Sequence, residues 1–344
     1  MCRAMEAARQ EILVEAYIWK DDSTGQAFLD VLARAARRGV AVRVLADAYG
    51  SLSARSAFWQ RMKDHRIEVR LFHPLFPYLW FYPLRNHRKI LVIDRGLAYT
   101  GGMNISDEYG SSRSAHPDAW RDTHARVEGP TAWELAVVFS EGWIRAGGTP
   151  FELPSLRPAA GDGARILVLD SRPGRGHLES ASVLSAIVQA AQVSLWITNA
   201  YFAPKPLAID ILGRAVKRGV DVRLLLPGRS DVALVRHAGH GYFSDLLARG
   251  VRIFEYKSAI LHAKSMVADG FVSVVGSTNM DFRSFHFNAE CNLVILEEKT
   301  ARTLSAAFEE DLEESVEILE GLWNRRRRVH RAADWFARRL SPIL

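Results

Sequence analysis

Cysteine is scarce in this 344-residue chain, with Cys2 and Cys291 its only two. A disulfide framework is therefore excluded as the support of the fold, and a reducing compartment is expected. Long apolar runs are missing as well. No stretch approaches the roughly eighteen uncharged apolar residues that a transmembrane helix needs. The opening Met1-Cys2-Arg3-Ala4-Met5-Glu6 lacks the apolar core of a secretory signal. Any membrane contact is accordingly expected to be peripheral. The clustered cysteine and histidine ligands of a structural metal site are absent, so neither metal nor cofactor is expected. Acidic residues fall short of basic ones, 39 against 45, for a net charge of +6. With a pI near 9.4, this favours an anionic partner: nucleic acid, lipid headgroups or phosphorylated small molecules.

The residues present form two domains' worth of ordinary globular chain, 48% hydrophobic and 24% charged. Within it the pattern H-x-K-x-x-x-x-D occurs twice, 175 positions apart. The first copy holds His87, Lys89 and Asp94; the second holds His262, Lys264 and Asp269. A small-residue pair and an asparagine follow each, Gly101-Gly102-x-Asn104 and Gly276-Ser277-x-Asn279. Histidine and asparagine are 17 positions apart in both copies. One such octapeptide is within reach of chance, but a matched pair with matched trailing residues indicates a duplicated catalytic unit.

The duplication extends through the surrounding elements. Ile12 to Ile18 reads as a buried strand, as does its counterpart Val193 to Phe202. Apolar-periodic helices follow, Ala27 to Arg38 and Leu207 to Arg218, each closed by Arg-Gly-Val with Gly39 and Gly219 placed for a left-handed cap. Strands are expected over Val40 to Ala46, Val220 to Leu226, Ile67 to Phe72 and Val251 to Tyr256. Each motif falls on a hairpin, Lys89 to Ile93 turning at Asp94-Arg95-Gly96 and Lys264 to Ala268 turning at Asp269-Gly270. Strands alternating with helices predict an α/β sheet in each half. The Gly- and Pro-rich stretch from Gly147 to Gly163 predicts the linker, and Glu309 to Glu320 an acidic helix.

Residues two apart on a strand share a face, so His87 projects with Lys89 and His262 with Lys264. Two such edges meeting would surround one cavity with two imidazoles and two ammonium groups. Asn104 and Asn279 would return from the second hairpin strand to donate to the same anion. A neutral imidazole can attack phosphorus while a protonated one donates to the leaving alkoxide. Lysines and asparagines would stabilise the phosphoryl oxygens. A lone histidine is more often a satisfied core residue; the duplicated set argues for chemistry, with His87 the preferred nucleophile. Asp94 and Asp269 complete the catalytic octapeptides, but their turn positions and parity suit bracing of the hairpin. Each histidine also needs a group on its other nitrogen to fix its tautomer. Glu290 follows His262 by 28 positions, an offset at which the first half has Ala115. If Asp107 to Ala119 is an inserted segment, Asp122 takes the equivalent place.

At these residues the chain resembles the phospholipase D superfamily, and within it the bacterial cardiolipin synthases. The likeness includes Asn86-His87-Arg88-Lys89, Gly101 to Tyr109, Trp120-Arg121-Asp122-Thr123-His124, Ala200 to Pro204, Pro227 to Asp231, Asn279 to Ser284, Asn288-Ala289-Glu290 and the ending Ser341 to Leu344. The resemblance implies two similar α/β/α sandwich halves related by pseudo-twofold symmetry, residues 1–150 and 165–344. It implies a phosphohistidine intermediate, with Asp122 and Glu290 as the acids that orient the histidines. It further implies transfer of a phosphatidyl group from one phosphatidylglycerol to another with release of glycerol. Many such synthases begin with two transmembrane helices; this chain resembles the shorter type, expected in the cytoplasm and peripheral at the bacterial inner membrane.

Two further stretches favour lipid. Phe72 to Pro83 is an aromatic, proline-rich loop suited to acyl chains. Trp323 to Leu344 carries seven arginines against one acid, Asp334, like a basic interfacial helix. The partners expected are therefore phosphatidylglycerol and the membrane surface, with no nucleic acid. Tyr242, His237 and His240 read as surface or groove residues. Hydrolysis of phosphatidyl esters, a nuclease-like phosphodiesterase activity sharing the mechanism, and a non-catalytic anionic-lipid module are the alternatives.

Overall fold

A computed structural model describes residues 1–74, 84–110, 119–153, 155, 163–173 and 177–341. Most of the aromatic loop, the greater part of the inserted segment, about half of the linker and the last three residues lie outside the described residues. The chain divides into two compact units. The first holds Met1–Ala119, His124–Gly163 and Asn288–Cys291; the second holds Trp120–Thr123, Ala164–Phe287 and Asn292–Leu344. Each unit therefore takes one short segment from the other half of the sequence.

In the first unit the order is α1 (Cys2–Glu6), β1 (Glu11–Ala16), α2 (Ser23–Arg37), β2 (Ala41–Asp47), α3 (Ser56–Asp64), β3 (Glu68–Phe72), β4 (Arg85–Asn86), β5 (Ile90–Ile93), β6 (Leu97–Gly101), α4 (Asp107–Gly110), β7 (His124–Glu128) and α5 (Pro130–Arg145). Among the described residues its sheet runs β3-β2-β1-β5-β6-β7. The first three strands are parallel, joined by helices, and the last three antiparallel. Strand alternation sorts the side chains. Ile12, Val14, Val42, Val44, Leu91 and Ile93 join Phe28, Leu32 and Phe58 of α2 and α3 in one core. On the opposite face Gly142 of α5 lies against Glu15 and Leu45, a contact too close for a larger residue to enter unchanged. Asp22 caps α2 by accepting from the Gly25 N–H at 3.0 Å, and Gly39 ends the helix at φ 89°.

The second unit runs β8 (Arg165–Ser171), α6 (His177–Ala190), β9 (Ser194–Asn199), α7 (Pro206–Lys217), β10 (Asp221–Pro227), α8 (Ala233–Leu247), β11 (Arg252–Tyr256), β12 (Lys264–Ala268), β13 (Val272–Gly276), α9 (Phe282–His286), β14 (Asn288–Leu296), α10 (Glu298–Glu313), β15 (Ser315–Glu317), α11 (Glu320–Trp323) and α12 (Arg328–Leu340). The opening residues of β14 cluster with the first unit. The sheet order is β15-β11-β10-β9-β12-β13-β14, with β8 also paired to β14. Residues Leu195, Ile197, Val222 and Leu224 bury against α7 and α8 on one face. Leu225, Phe254 and Tyr256 meet Phe308 of α10 on the other. Gly219 repeats the left-handed cap at φ 93°.

The acidic stretch departs from expectation. It is no single helix, because β15 interrupts it: Val316 and Glu317 pair with Glu255 and Phe254, extending the sheet at its edge. Of the three α8 residues expected at a surface or groove, His240 and Tyr242 are buried, His240 in the wall of a small pocket with Phe202 and Phe243, while His237 is partly exposed.

Candidate active site

In the first unit β4 forms a short parallel ladder with the start of β14, pairing Arg85 with Asn288 and Asn86 with Ala289. The His87 N–H continues it, donating to the Ala289 carbonyl at 2.9 Å. This ladder fixes Glu290 opposite His87. The imidazole Nδ1 lies 3.0 Å from both Glu290 carboxylate oxygens, and the Glu290 side chain is wholly buried. The second unit repeats the device. Arg121 bridges to Leu261, the His262 N–H donates to the Arg121 carbonyl at 2.7 Å, and His262 Nδ1 lies 2.8 Å from Asp122 Oδ2. A carboxylate only accepts, so each Nδ1 carries a proton toward its acid, which fixes the orientation of the ring. Burial alone would raise the Asp122 carboxyl, but Lys264, His262 and the Thr123 N–H outweigh it and hold it below its ordinary value.

His87, Lys89 and His262 lie just ahead of their strands and Lys264 is the first residue of its own: β5 begins at Ile90 and β12 at Lys264. The face-sharing expectation is modified accordingly. Each lysine ammonium turns back to its own histidine's carbonyl, Lys89 Nζ donating to His87 O at 2.6 Å and Lys264 doing likewise to His262. Lys264 Nζ also lies 2.8 Å from His262 Nδ1; an ammonium can only donate, so the acceptor for a protonated Nδ1 is the Asp122 carboxylate. Aromatic rings flank both imidazoles. Tyr17 meets His87 edge-on at 4.8 Å, while Trp120 and Tyr201 stand 5.3 and 6.0 Å from His262.

The asparagines are not equivalent. Asn104 Oδ1 accepts from the Ile18 N–H at 3.1 Å and its Nδ2 donates to the Tyr109 hydroxyl at 3.2 Å. Its amide is thus engaged inside the first unit. Asn279 is buried, and its Oδ1, an acceptor, has no partner among the described residues. Asp94 and Asp269, counted with the catalytic octapeptides, contact backbone instead, which corrects that grouping. Asp94 accepts from the Arg9, Gln10 and Glu11 N–H groups, and Asp269 from those of Gln192, Val193 and Ser194. Both adopt positive φ, 48° and 52°, which aspartate tolerates at a turn.

Beneath the first motif lies a charged network that sequence reasoning missed. Arg85 and Arg88 are buried with Asp47 and Glu15. Asp47 Oδ2 accepts from the Asn86 N–H at 2.8 Å, and Glu15 Oε1 accepts from Asn86 Nδ2 at 2.6 Å and faces Arg88 at 3.8 Å. Burial pushes the Asp47 carboxyl up despite Arg85. The second motif has Ala263 where the first has Arg88. Among the described residues, His237, His240 and Asp334 bring donor atoms within 4.8 Å of one another. However, Arg326 occupies Asp334 Oδ2 at 2.9 Å, so the group reads as an ion-paired seam between α8 and α12.

Comparison with known proteins agrees with this geometry. Cardiolipin synthase 1 of Bacillus cereus is 35% identical over 356 residues, covering 99% of this chain and 69% of that protein. The cardiolipin synthase of Alkalihalophilus pseudofirmus is 34% identical over 349 residues, with the same coverage. Phosphatidylserine synthase of Haemophilus influenzae superposes with a TM-score of 0.77 at 15% identity, over 100% of this chain and 92% of that one; at that identity the likeness speaks for the fold. A family profile described as "Cardiolipin synthase, PLD-like domain" matches residues 1–114 and 184–312, spanning both motifs. The chain belongs to the cardiolipin synthase family of phospholipase D-like proteins.

Proposed function

We propose that this protein transfers a phosphatidyl group from one phosphatidylglycerol to the free hydroxyl of another, forming cardiolipin and releasing glycerol. One observation carries the reading: each motif histidine is held at Nδ1 by a buried carboxylate, the arrangement that assigns the attack on phosphorus to Nε2. In the first step Nε2 of one histidine, His87 by preference, forms the P–N bond as the P–O bond to glycerol breaks. The other histidine, protonated, gives its proton to the departing alkoxide. In the second step that histidine takes a proton from the acceptor hydroxyl, which attacks phosphorus and releases His87. Lys89, Lys264 and the Nδ2 amide of Asn279 are proposed to stabilise charge on the phosphoryl oxygens. Glu290 and Asp122 fix the tautomers and support the imidazolium that forms.

Location at the cytoplasmic face of a bacterial inner membrane is part of the proposal, supported by the lipid substrate and the bacterial relatives. No helix among the described residues is long and apolar enough to cross a membrane. The test is to incubate purified protein with phosphatidylglycerol and separate the products. Cardiolipin and glycerol in equal amounts are expected, with phosphatidic acid minor. Phosphatidic acid as main product would make the protein a hydrolase, and cleavage of oligonucleotides without lipid turnover would reject the lipid reading.

A further inference from the structure

Helix α12 has two faces, and the fold uses only one. Its inner seam is narrow: Asp334 and Ala337 are its buried residues. Asp334 is gripped by His237 at 2.8 Å and by Arg326 at 2.9 Å. Arg338 donates to the Gly241 carbonyl at 2.8 Å and lies over the Tyr242 ring at 4.3 Å, and Tyr242 reaches Ser341 at 3.2 Å. These contacts hold the helix firmly on α8. The far side carries a second stripe at the i, i+3, i+4, i+7 spacing of a helix face: Val329, Ala332, Ala333 and Phe336. All four are exposed, Val329 at 66% and Phe336 at 60%. Beside them stands Trp335, 57% exposed, with the Arg339 guanidinium 3.8 Å over its ring. A stripe of this spacing on a helix is ordinarily turned to a core, and here solvent covers it.

Charge identifies the occupant. Arg328, Arg331 and Arg339 are exposed alongside the stripe, and Arg325 and Arg327 just precede it. The helix's one acid, Asp334, is turned inward and paired. An apolar stripe bordered by cations and a tryptophan matches the headgroup boundary of an anionic bilayer, with Phe336 and Val329 among the acyl chains and the guanidinium groups at the phosphates. A second copy of the chain would set these arginines against each other. We propose that the outer face of α12 is a preformed docking surface for anionic lipid bilayers. The inference rests on the proposed lipid function, for which it supplies the means of holding the enzyme at its substrate. Because the helix is already folded on α8, docking avoids the ordering cost that a disordered basic tail meets on binding.

The test uses the full chain with phosphatidylcholine vesicles, with and without one third phosphatidylglycerol, followed by sedimentation. Wild type is expected to sediment with the anionic vesicles and to be released progressively by salt. Arg328→Gln, Arg331→Gln and Arg339→Gln together should weaken binding roughly fivefold per arginine at low salt. Val329→Ser with Phe336→Ser should weaken it about tenfold or more with little change in the salt slope. All five positions are exposed, and unchanged melting temperatures would verify the fold. Wild type left in the supernatant, or both variants bound as tightly as wild type, overturns the proposal. So does a dimer in sedimentation velocity that the Phe336 variant dissociates. Turnover of phosphatidylglycerol dispersed in detergent separates the two readings. Turnover without vesicle binding rejects the docking surface alone, whereas binding without turnover rejects the enzymatic reading and leaves the surface standing.

Discussion

His87 donates a hydrogen bond through Nδ1 to Glu290, a residue 203 positions further along the chain, at 3.0 Å. His262 makes the matching bond to Asp122, 140 positions before it. Neither half of the sequence therefore contains a complete histidine–carboxylate pair. A short ladder and a single bridge perform the exchange, the ladder bringing Asn288–Cys291 to the first unit and the bridge Trp120–Thr123 to the second. Duplication supplied each half with a histidine and an acid, and the fold crosses them over.

If those acids set tautomer and orientation, Glu290→Gln and Asp122→Asn should keep the fold and lose turnover. The amide is nearly isosteric but can present its NH2 to Nδ1, which favours the wrong tautomer. A loss on the order of 10²–10⁴-fold is expected, read from initial rates with circular dichroism as the control for folding. A change of less than about threefold would show that the carboxylates serve only to fill space.

Asp269 should matter to stability and little to turnover. Its partial burial works against ionisation, but three backbone N–H groups outweigh that and hold its carboxyl below the ordinary value. A depressed folded value means that its contribution is complete above the unfolded value of about 3.9 and disappears as pH falls through the folded one. Asp269→Ala should therefore cost about 1 kcal/mol at neutral pH, a modest figure for an exposed turn, and progressively less in acid. Denaturant titrations at several pH values check this, with activity expected to stay within a few-fold of wild type.

The buried pairs beneath the first motif predict an unequal tolerance of substitution. Arg88 faces Glu15, whose side chain is fully buried. Arg88→Ala leaves that carboxylate without the guanidinium's charge and should cost about 3–5 kcal/mol. Combining it with Glu15→Leu should recover part of the loss, because the orphaned charge is removed. Equal stability of the single and double variants would show that the two residues are not coupled.

Metal removal should leave turnover in place. The positive charge for the phosphoryl oxygens is assigned to Lys89 and Lys264, so excess EDTA in a detergent assay is expected to change the rate by less than about twofold. Complete loss, restored only by a divalent cation, would reassign that charge to a metal.

Much of the site was open to reading because it is written locally. The octapeptides, their hairpins and the glycine caps at Gly39 and Gly219 depend on neighbours in sequence, and each lies where periodicity and turn chemistry put it. Glu290 and Asp122 were identified as acids, but a shared offset shows that two residues are equivalent without showing which histidine each one touches. That pairing depends on strand ladders between distant segments. Arg88 passed as a motif spacer because a charged residue beside an apolar strand carries no sign of its buried partner. The acidic stretch looked helical throughout because β15 forms only through its pairing with β11. In the tail, arginine content was plain from the sequence, whereas the inward turn of Asp334 toward His237, 97 positions earlier, was not.

The account's central claim is covalent transfer through a histidine, and trapping the intermediate tests it most directly. Protein mixed with phosphatidylglycerol should be quenched within a single turnover, digested under conditions that preserve phosphoramidates, and analysed by mass spectrometry. The account predicts a phosphatidyl adduct on the peptide containing His87, absent from His87→Ala, with no turnover by either His87→Ala or His262→Ala. An adduct on the His262 peptide would exchange the roles of the two histidines. Full turnover with no adduct on either peptide, or activity surviving in His87→Ala and His262→Ala together, would contradict the mechanism.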